Sequence, residues 1–391
     1  MLKQIFEITW LNLLSIRERL GLAVVVIVGL AGVVGVFTAL LAMSRGFEAT
    51  LAATGTEDHA IVLRGGSGAE LNSVLMLDNI AIIEQGPGVR RGADGSPLVS
   101  GEILVISELP KRGERLGANV SLRGVSPDAF ALRPQLTISE GRKFEPGLQE
   151  LLIGRGVANQ FEGATLGSSL RLRGADWTVV GIFDSGDSFE SEIWADAQTA
   201  QTAWNRNAYS IALVGLESAD AFDAYQASLT ADPRLTVDVE REREFYSGQT
   251  SGVTGAIGVL AGVVSVIMGL GAIFAALNTM YAAVSARTRE IGTLRALGFG
   301  GVPVVVSVLV ESMALALLGG LLGAFLAFAL FNGMTVSTLG GGFTQVVFAF
   351  KVTPDLLVRG VIISLAIGFI GGLLPALHAA RIPVTTALRA A

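Results

Sequence analysis

Residues 20–44 read LGLAVVVIVGLAGVVGVFTALLAMS: from Leu20 to Ser44 there is no Asp, Glu, Lys or Arg. Coiled as a helix at about 1.5 Å per residue, the run reaches roughly 37 Å, more than the hydrocarbon core of a bilayer. Three further apolar segments follow it. The uncharged run 245–286 opens on a more polar entry that includes Ser247, Gln249 and Thr250, so its spanning part is predicted at 253–283. Segment 303–332 is interrupted only by Glu311, and 360–380 lies between Arg359 and Arg381. Four membrane spans are expected. The first far exceeds the roughly 7–15 apolar residues of a signal peptide, which favours a retained signal-anchor over a cleaved leader.

Composition agrees with this reading. Only 16% of the 391 residues are charged, 51% are apolar and 49 are Gly, where soluble domains carry about 25% charge and about 7% Gly. The absence of Cys excludes a disulfide framework, a Cys-ligated zinc site and a thiol nucleophile. Two His, His59 and His378, are too few for a His-rich metal site, so no metal is expected.

Basic residues near the spans set the predicted orientation. Lys3, Arg17 and Arg19 precede the first span, Arg287, Arg289 and Arg295 separate the second from the third, and Arg381 and Arg389 follow the fourth. The 333–359 loop has only Lys351 and Arg359. The expected layout is a cytoplasmic N-terminal helix at 1–19, spans at 20–44, 253–283, 303–332 and 360–380, and a cytoplasmic loop at 284–302. Residues 45–250 and 333–359 then lie outside and the tail 381–391 inside. Residues 44–250 hold 18 Lys and Arg against 29 Asp and Glu, a net of −11, whereas the rest of the chain carries +5. The mild overall acidity, a net of −6, argues weakly against a nucleic-acid partner.

That domain reads as mixed α/β. Strands are predicted at Ala60–Arg64, Leu98–Ile106, Val120–Val125, Ser169–Leu172, Trp177–Phe183, Tyr209–Leu216 and Leu235–Val239. Ser218–Leu229 has helical spacing, with Ser218 as its N-cap. Two small α/β halves are expected to flank a β-rich middle at about 110–200.

Catalytic motifs are absent or weak. Gly65-Gly66-Ser67-Gly68 lacks the Lys and following helix of a phosphate loop and reads as a surface turn. No Ser occupies a Gly-x-Ser-x-Gly elbow. Glu190 and Glu192 offer paired carboxylates, but in a turn-rich acidic domain they are more simply a solvated face. No catalytic residue is expected. Gly258 and Gly262, Gly319 and Gly323, and Gly368 and Gly372 are spaced to let span helices approach closely, within the chain or between chains. Glu311 is an intramembrane carboxylate; it either relays a proton or ion, or reaches the interface and the 284–302 loop.

The most specific stretch is NTMYAAVSARTREIGTLRALG, residues 278–298. It continues the second span as a helix, with Ile291, Leu294 and Leu297 forming an apolar edge beside Arg287, Arg289, Glu290 and Arg295. Gly298 is suited to a C-cap and Pro303 to a helix start. Such a helix either carries force at the bilayer boundary or lies on headgroups.

The segment Arg287–Gly298 resembles the signature of the MacB/FtsX-like permease family of ABC transporters, and Pro375–Arg389 resembles its closing motif. Val125–Phe130 and Glu140-Gly141-Arg142 are similar to parts of the family's periplasmic core. One span, a large outer domain and three spans match the family order throughout. The resemblance implies a four-span α-helical membrane protein with a MacB-like outer domain, a porter-like α/β part carrying a β-rich insertion. It implies that Arg287, Arg289, Glu290, Ile291, Leu294, Arg295 and Leu297 form a coupling helix docking on an ABC ATPase. With only 19 residues before the first span, that ATPase, with its ATP and Mg, is expected on a separate chain. A second permease chain, membrane lipid, a periplasmic adaptor and an outer-membrane channel are the other partners implied, at the bacterial inner membrane. The expected role is export or mechanotransmission that expels a periplasmic substrate. Lipoprotein release, FtsX-like signalling or a stand-alone receptor are the alternatives.

Overall fold

The computed structural model describes residues 6–10, 20–113, 117–339 and 345–384. Lys3, Arg17, Arg19 and Arg389 therefore lie outside the described residues, as do most of the predicted N-terminal helix and tail; residues 6–10 are helical. Contacts divide the chain into two units: Met1–Arg45 with Gly255–Met334 and Phe350–Ala391, and Gly46–Thr254 with Thr335–Ala349.

The first unit is built on four helices long and apolar enough to cross a membrane, all within the described residues. They run over Leu20–Ala52, Thr250–Ala286, Gly301–Phe331 and Pro354–Arg381. Two depart from the uncharged runs. The first continues past Ser44 to Ala52, because Arg45, Glu48 and Leu51 are acceptable helix formers and the first left-handed glycine comes at Gly55, φ +81°. The fourth starts at Pro354 rather than 360. Pro suits a first turn, and the Arg359 Nε–Asp355 ion pair supports it one turn on at 3.0 Å. Small residues let the third helix approach the first and fourth. A Cβ on Gly319 would stand 2.8 Å from Leu30 Cβ and 2.9 Å from Ile27 O. The Ser364 hydroxyl donates to Ala316 O at 2.6 Å, and Ser312 donates to Gly368 O.

The second unit contains a sheet of ten strands among the described residues. They are β1 His59–Arg64, β2 Val99–Pro110, β3 Gly117–Val125, β4 Thr137–Gly141, β5 Glu150–Gly154, β6 Ser169–Leu172, β7 Ala175–Asp184, β8 Glu192–Asp196, β9 Ile211–Gly215 and β10 Val237–Arg241. The order is β10-β1-β9-β2-β3-β8-β5-β7-β4, with β6 paired to β7. A separate hairpin, β11 Thr335–Leu339 and β12 Gln345–Ala349, comes from the loop between the third and fourth long helices.

β2 explains why the inner boundaries differ from 110 and 200. Its first residues, Val99–Glu102, pair with β9, and from Ile103 onward it pairs with β3. One unbroken strand thus passes from the flanking α/β part into the insertion. The flanking part buries Val62, Ile83, Val214 and Tyr225 beneath helices Leu77–Ile83 and Phe222–Ala231. The insertion buries Leu122, Ile153, Trp177 and Trp204. Helix Phe222–Ala231 is preceded by a 3-10 turn, Ala219–Ala221, and the Ser218 side chain makes no cap hydrogen bond. β5 and β8, each buried along its whole length, were not predicted. Each has only three consecutive apolar residues, Leu151–Ile153 and Ile193–Ala195, a run without the alternation that reveals a half-exposed strand.

Candidate functional site

The 284–302 loop is where the predicted site residues gather. The second long helix ends at Ala286, and the loop helix runs Thr288–Ala296. Arg287 sits at the corner between them with φ −105° and ψ 9°, so the two helices are not one continuous rod. The corner has a cause: Arg287 turns inward, and its Nη1 and Nη2 each donate to a Glu311 oxygen at 3.1 Å, with both residues buried. A two-point guanidinium–carboxylate pair fixes direction as well as distance.

The rest of the loop helix divides into two faces. Ile291 is buried with Val284, Val304, Val308 and Ala376. Leu294 and Arg295 are half-buried, and Arg295 Nη1 donates to Ile382 O at 2.6 Å. Arg289 and Glu290 are exposed, as is Leu297 at 73%. Gly298 ends the helix in the left-handed region, φ +96°, with Phe299 N–H donating to Leu294 O. Of the seven predicted residues, the structure therefore turns Arg287 and Ile291 inward and leaves Arg289, Glu290 and Leu297 outward. Glu311, read from sequence as a relay or a contact to this loop, here holds Arg287, the residue that caps the loop helix.

The predicted glycines divide as well. Gly319, Gly323, Gly368 and Gly372 lie against neighbouring helices of the same chain, whereas Gly258 and Gly262 have nothing within 4 Å.

A second cluster, missed by sequence, lies in the outer unit. Arg123 donates through Nε to Glu192 at 2.7 Å and through Nη1 to Glu70 and Glu102, each at 2.9 Å. Arg133 donates to both Glu102 oxygens at 2.6 and 3.1 Å and lies 3.8 Å from Glu242. Glu242 accepts from His59 Nδ1 at 2.9 Å, and Tyr246 OH donates to Glu70 at 3.0 Å. Burial alone would raise the Glu102 carboxyl, but the Arg133 and Arg123 guanidiniums outweigh it and hold the group below the usual carboxylate range. Burial pushes Tyr246 well above the ordinary tyrosine range. The available signal was charge inside apolar strands, Glu102 in Leu98–Ile106 and Arg123 in Val120–Val125; neither fits a solvated face.

The paired carboxylates Glu190 and Glu192 do not act together. Glu190 accepts the Ser185 and Gly186 N–H groups, while Glu192 is bound to Arg123 and Trp194 Nε1. The Gly65–Gly68 stretch is a turn at the end of β1.

Comparison with known proteins gives two family matches: a MacB-like periplasmic core domain over residues 22–232 and an FtsX-like permease C-terminal region over 262–384. The chain is 25% identical over 422 residues to an uncharacterized ABC transporter permease, YvrN, of Bacillus subtilis (strain 168), covering 97% of this chain and 96% of that protein. It is 25% identical over 309 residues to the macrolide export ATP-binding/permease protein MacB of Hahella chejuensis, covering 73% of this chain and 45% of that one. Among solved structures, the extracellular domain of the ABC-type transporter YknZ from Gram-positive bacteria matches at TM-score 0.36 and 20% identity over 46% of this chain and 99% of that domain. The periplasmic region of MacB from Actinobacillus actinomycetemcomitans matches at TM-score 0.37 and 13% identity over 53% and 94%.

Proposed function

Because this chain belongs to the ABC-transporter permeases with a MacB-like periplasmic core domain and an FtsX-like permease region, we propose that it is the membrane subunit through which a separate ABC ATPase moves the outer unit to expel an extracytoplasmic substrate. ATP is bound with Mg and hydrolysed on the partner, and the loop helix is where that partner docks. The observation supporting this is the division of the loop helix. Its ends are fixed inward, by Arg287 to Glu311 and by Arg295 to Ile382 O, while Arg289, Glu290 and Leu297 remain open. A load on the open face passes into the third and fourth long helices through an ion pair and a hydrogen bond rather than through a slack loop. The permease works as a pair, with the open Gly258 and Gly262 face of the second long helix available to another copy. Both termini are cytoplasmic, and an adaptor and outer-membrane channel receive the cargo.

The test is co-purification of the full chain with an ABC ATPase encoded beside it, followed by ATPase assay in proteoliposomes. The triple variant Arg289→Glu, Glu290→Arg, Leu297→Asp is expected to lose the ATPase from the complex while keeping the wild-type Tm. Retention of the ATPase with unchanged activity would remove the docking role from this helix.

A further inference from the structure

The first unit carries a groove of about 460 Å³ between the first and third long helices, and every side chain lining it is apolar. Its origin lies in the packing. At Gly319 and Gly323 the third helix presses on the first: an added Cβ would stand 2.9 Å from Ile27 O and 2.5 Å from Ala31 O, respectively. Helices brought this close by small residues meet along a narrow seam, and larger side chains rise on either side of it. Ala31 and Ala327 are buried at the floor, while Val28 and Val36 from one helix and Leu322 and Leu326 from the other form exposed walls. Gly32 keeps the groove open, since a Cβ there would meet nothing within 4 Å.

Two observations identify what fits. The first is length. The groove runs from Val28 to Leu40 on the first helix and from Leu322 to Phe331 on the third, about 18 Å and about 14 Å at 1.5 Å per residue. The hydrocarbon core of a bilayer is roughly 30 Å thick, so one leaflet is roughly half of that. A spanning helix from a second copy would need a seam along most of the core, whereas one extended acyl chain needs a single leaflet. The second is charge at the mouth. Phe331, the last groove residue, stacks on Phe350 with ring centroids 5.9 Å apart. The next residue, Lys351, donates its backbone N–H to Ala42 O at 3.1 Å, just beyond Leu40. Lys351 is exposed and forms no ion pair among the described residues. Arg359, by contrast, is taken by Asp355, and Arg45 and Glu48 near the end of the first helix are opposite in sign. A lysine stem lies along apolar surface while its ammonium stays at the headgroups.

We propose that this groove binds one acyl chain of an anionic phospholipid whose phosphate is met by Lys351. The chain fills the space over Ala31, Gly32 and Ala327, which no side chain of this protein covers. A zwitterionic headgroup carries its own ammonium beside the phosphate and gains less from the lysine. The site lies within the first unit and does not depend on the docking role of the loop helix.

The test is native mass spectrometry of the full chain, purified in detergent and given equal amounts of phosphatidylglycerol and phosphatidylcholine with the same acyl chains. One retained phospholipid per chain is expected, with phosphatidylglycerol favoured about fivefold, the effect of one Lys at an anionic surface. Gly32→Phe puts a ring into the groove where there is space for it and is expected to lose the lipid at wild-type Tm. Ala39→Phe fills the groove further along and gives the same result if Gly32→Phe lowers Tm. Lys351→Gln is expected to keep the lipid and lose the preference. No retained phospholipid, retention in both Phe variants, or a phosphatidylglycerol preference that survives Lys351→Gln would overturn the proposal. So would a chain that dimerises without lipid and becomes monomeric in Gly32→Phe, since the occupant would then be a second copy.

Discussion

Arg287 and Glu311 are each buried and each other's partner, so removing one leaves a charge that water cannot reach. Breaking such a pair costs about 3–5 kcal/mol. Arg287→Met and Glu311→Leu are each expected to lower thermal stability by an amount of that order, and the double variant by less than the sum of the two. Strict additivity in the thermal-melt cycle would mean the pair is not coupled. Asp187 supplies a pH-dependent counterpart. Burial raises its carboxyl from the ordinary 3.8 to about 6, so the folded chain holds that proton more tightly than the unfolded one. The stability this group contributes is complete below about pH 3.8 and is lost as pH rises through about 6. Asparagine resembles the protonated acid and can still accept from Phe189 N–H, as Asp187 Oδ1 does at 3.0 Å. Asp187→Asn should therefore gain in Tm relative to the wild type as pH rises from about 4 to about 6, and a flat difference across that range would assign the shift elsewhere. At this scale the sequence was partly readable. Arg287 was marked as a site residue, but its inward turn depends on Glu311, 24 positions away, and no local pattern announces such a partner.

Among the elements, long uncharged runs were the most legible part of the chain, because a bilayer demands length and apolarity from one continuous stretch. Their glycines were legible as a class but not individually. Gly319 lies against Ile27 and Leu30, so Gly319→Val should force the first and third helices apart and cost about 1–3 kcal/mol in the detergent-solubilised chain. Gly258, where an added Cβ would meet nothing within 4 Å, should accept Ala within about 0.5 kcal/mol; equal losses at both positions would refute the packing difference. The β11–β12 hairpin was read only as a loop. Phe348 packs edge-on to Phe47 at 5.5 Å, and Val347 N–H donates to Ser191 Oγ at 2.8 Å, both inside the outer unit. Phe348→Ala should cost about 3–5 kcal/mol and raise amide exchange in β8, whereas protection unchanged in β8 would show the hairpin to be a bystander. Its partners are more than 150 residues distant, which is why periodicity could not reveal them.

For the whole molecule, charge separates what periodicity does not. The Lys and Arg beside the span ends, Arg287, Arg289, Arg295 and Arg381 on one side against Lys351 and Arg359 on the other, predict that alkaline phosphatase fused after residue 249 is active and that a fluorescent protein fused at the C-terminus fluoresces inside the cell; the reverse pattern would invert the orientation. Fold class and element order were readable because each span and most strands declare themselves locally. The route of β2 and the buried Arg–Glu cluster were not, since both come from pairing across the outer unit. That pairing constrains how such a protein can diversify. The insertion leaves and rejoins the flanking sheet at almost one point, where Ser210 N–H donates to Glu102 O at 2.7 Å, an arrangement that invites exchange of the whole cassette between relatives. Yet Arg123 and Arg133 on the cassette are matched to Glu70, Glu102 and Glu242 on the recipient. A transplanted cassette lacking those guanidiniums would strand carboxylates at the graft, so heredity here must pass the seam and its charges together.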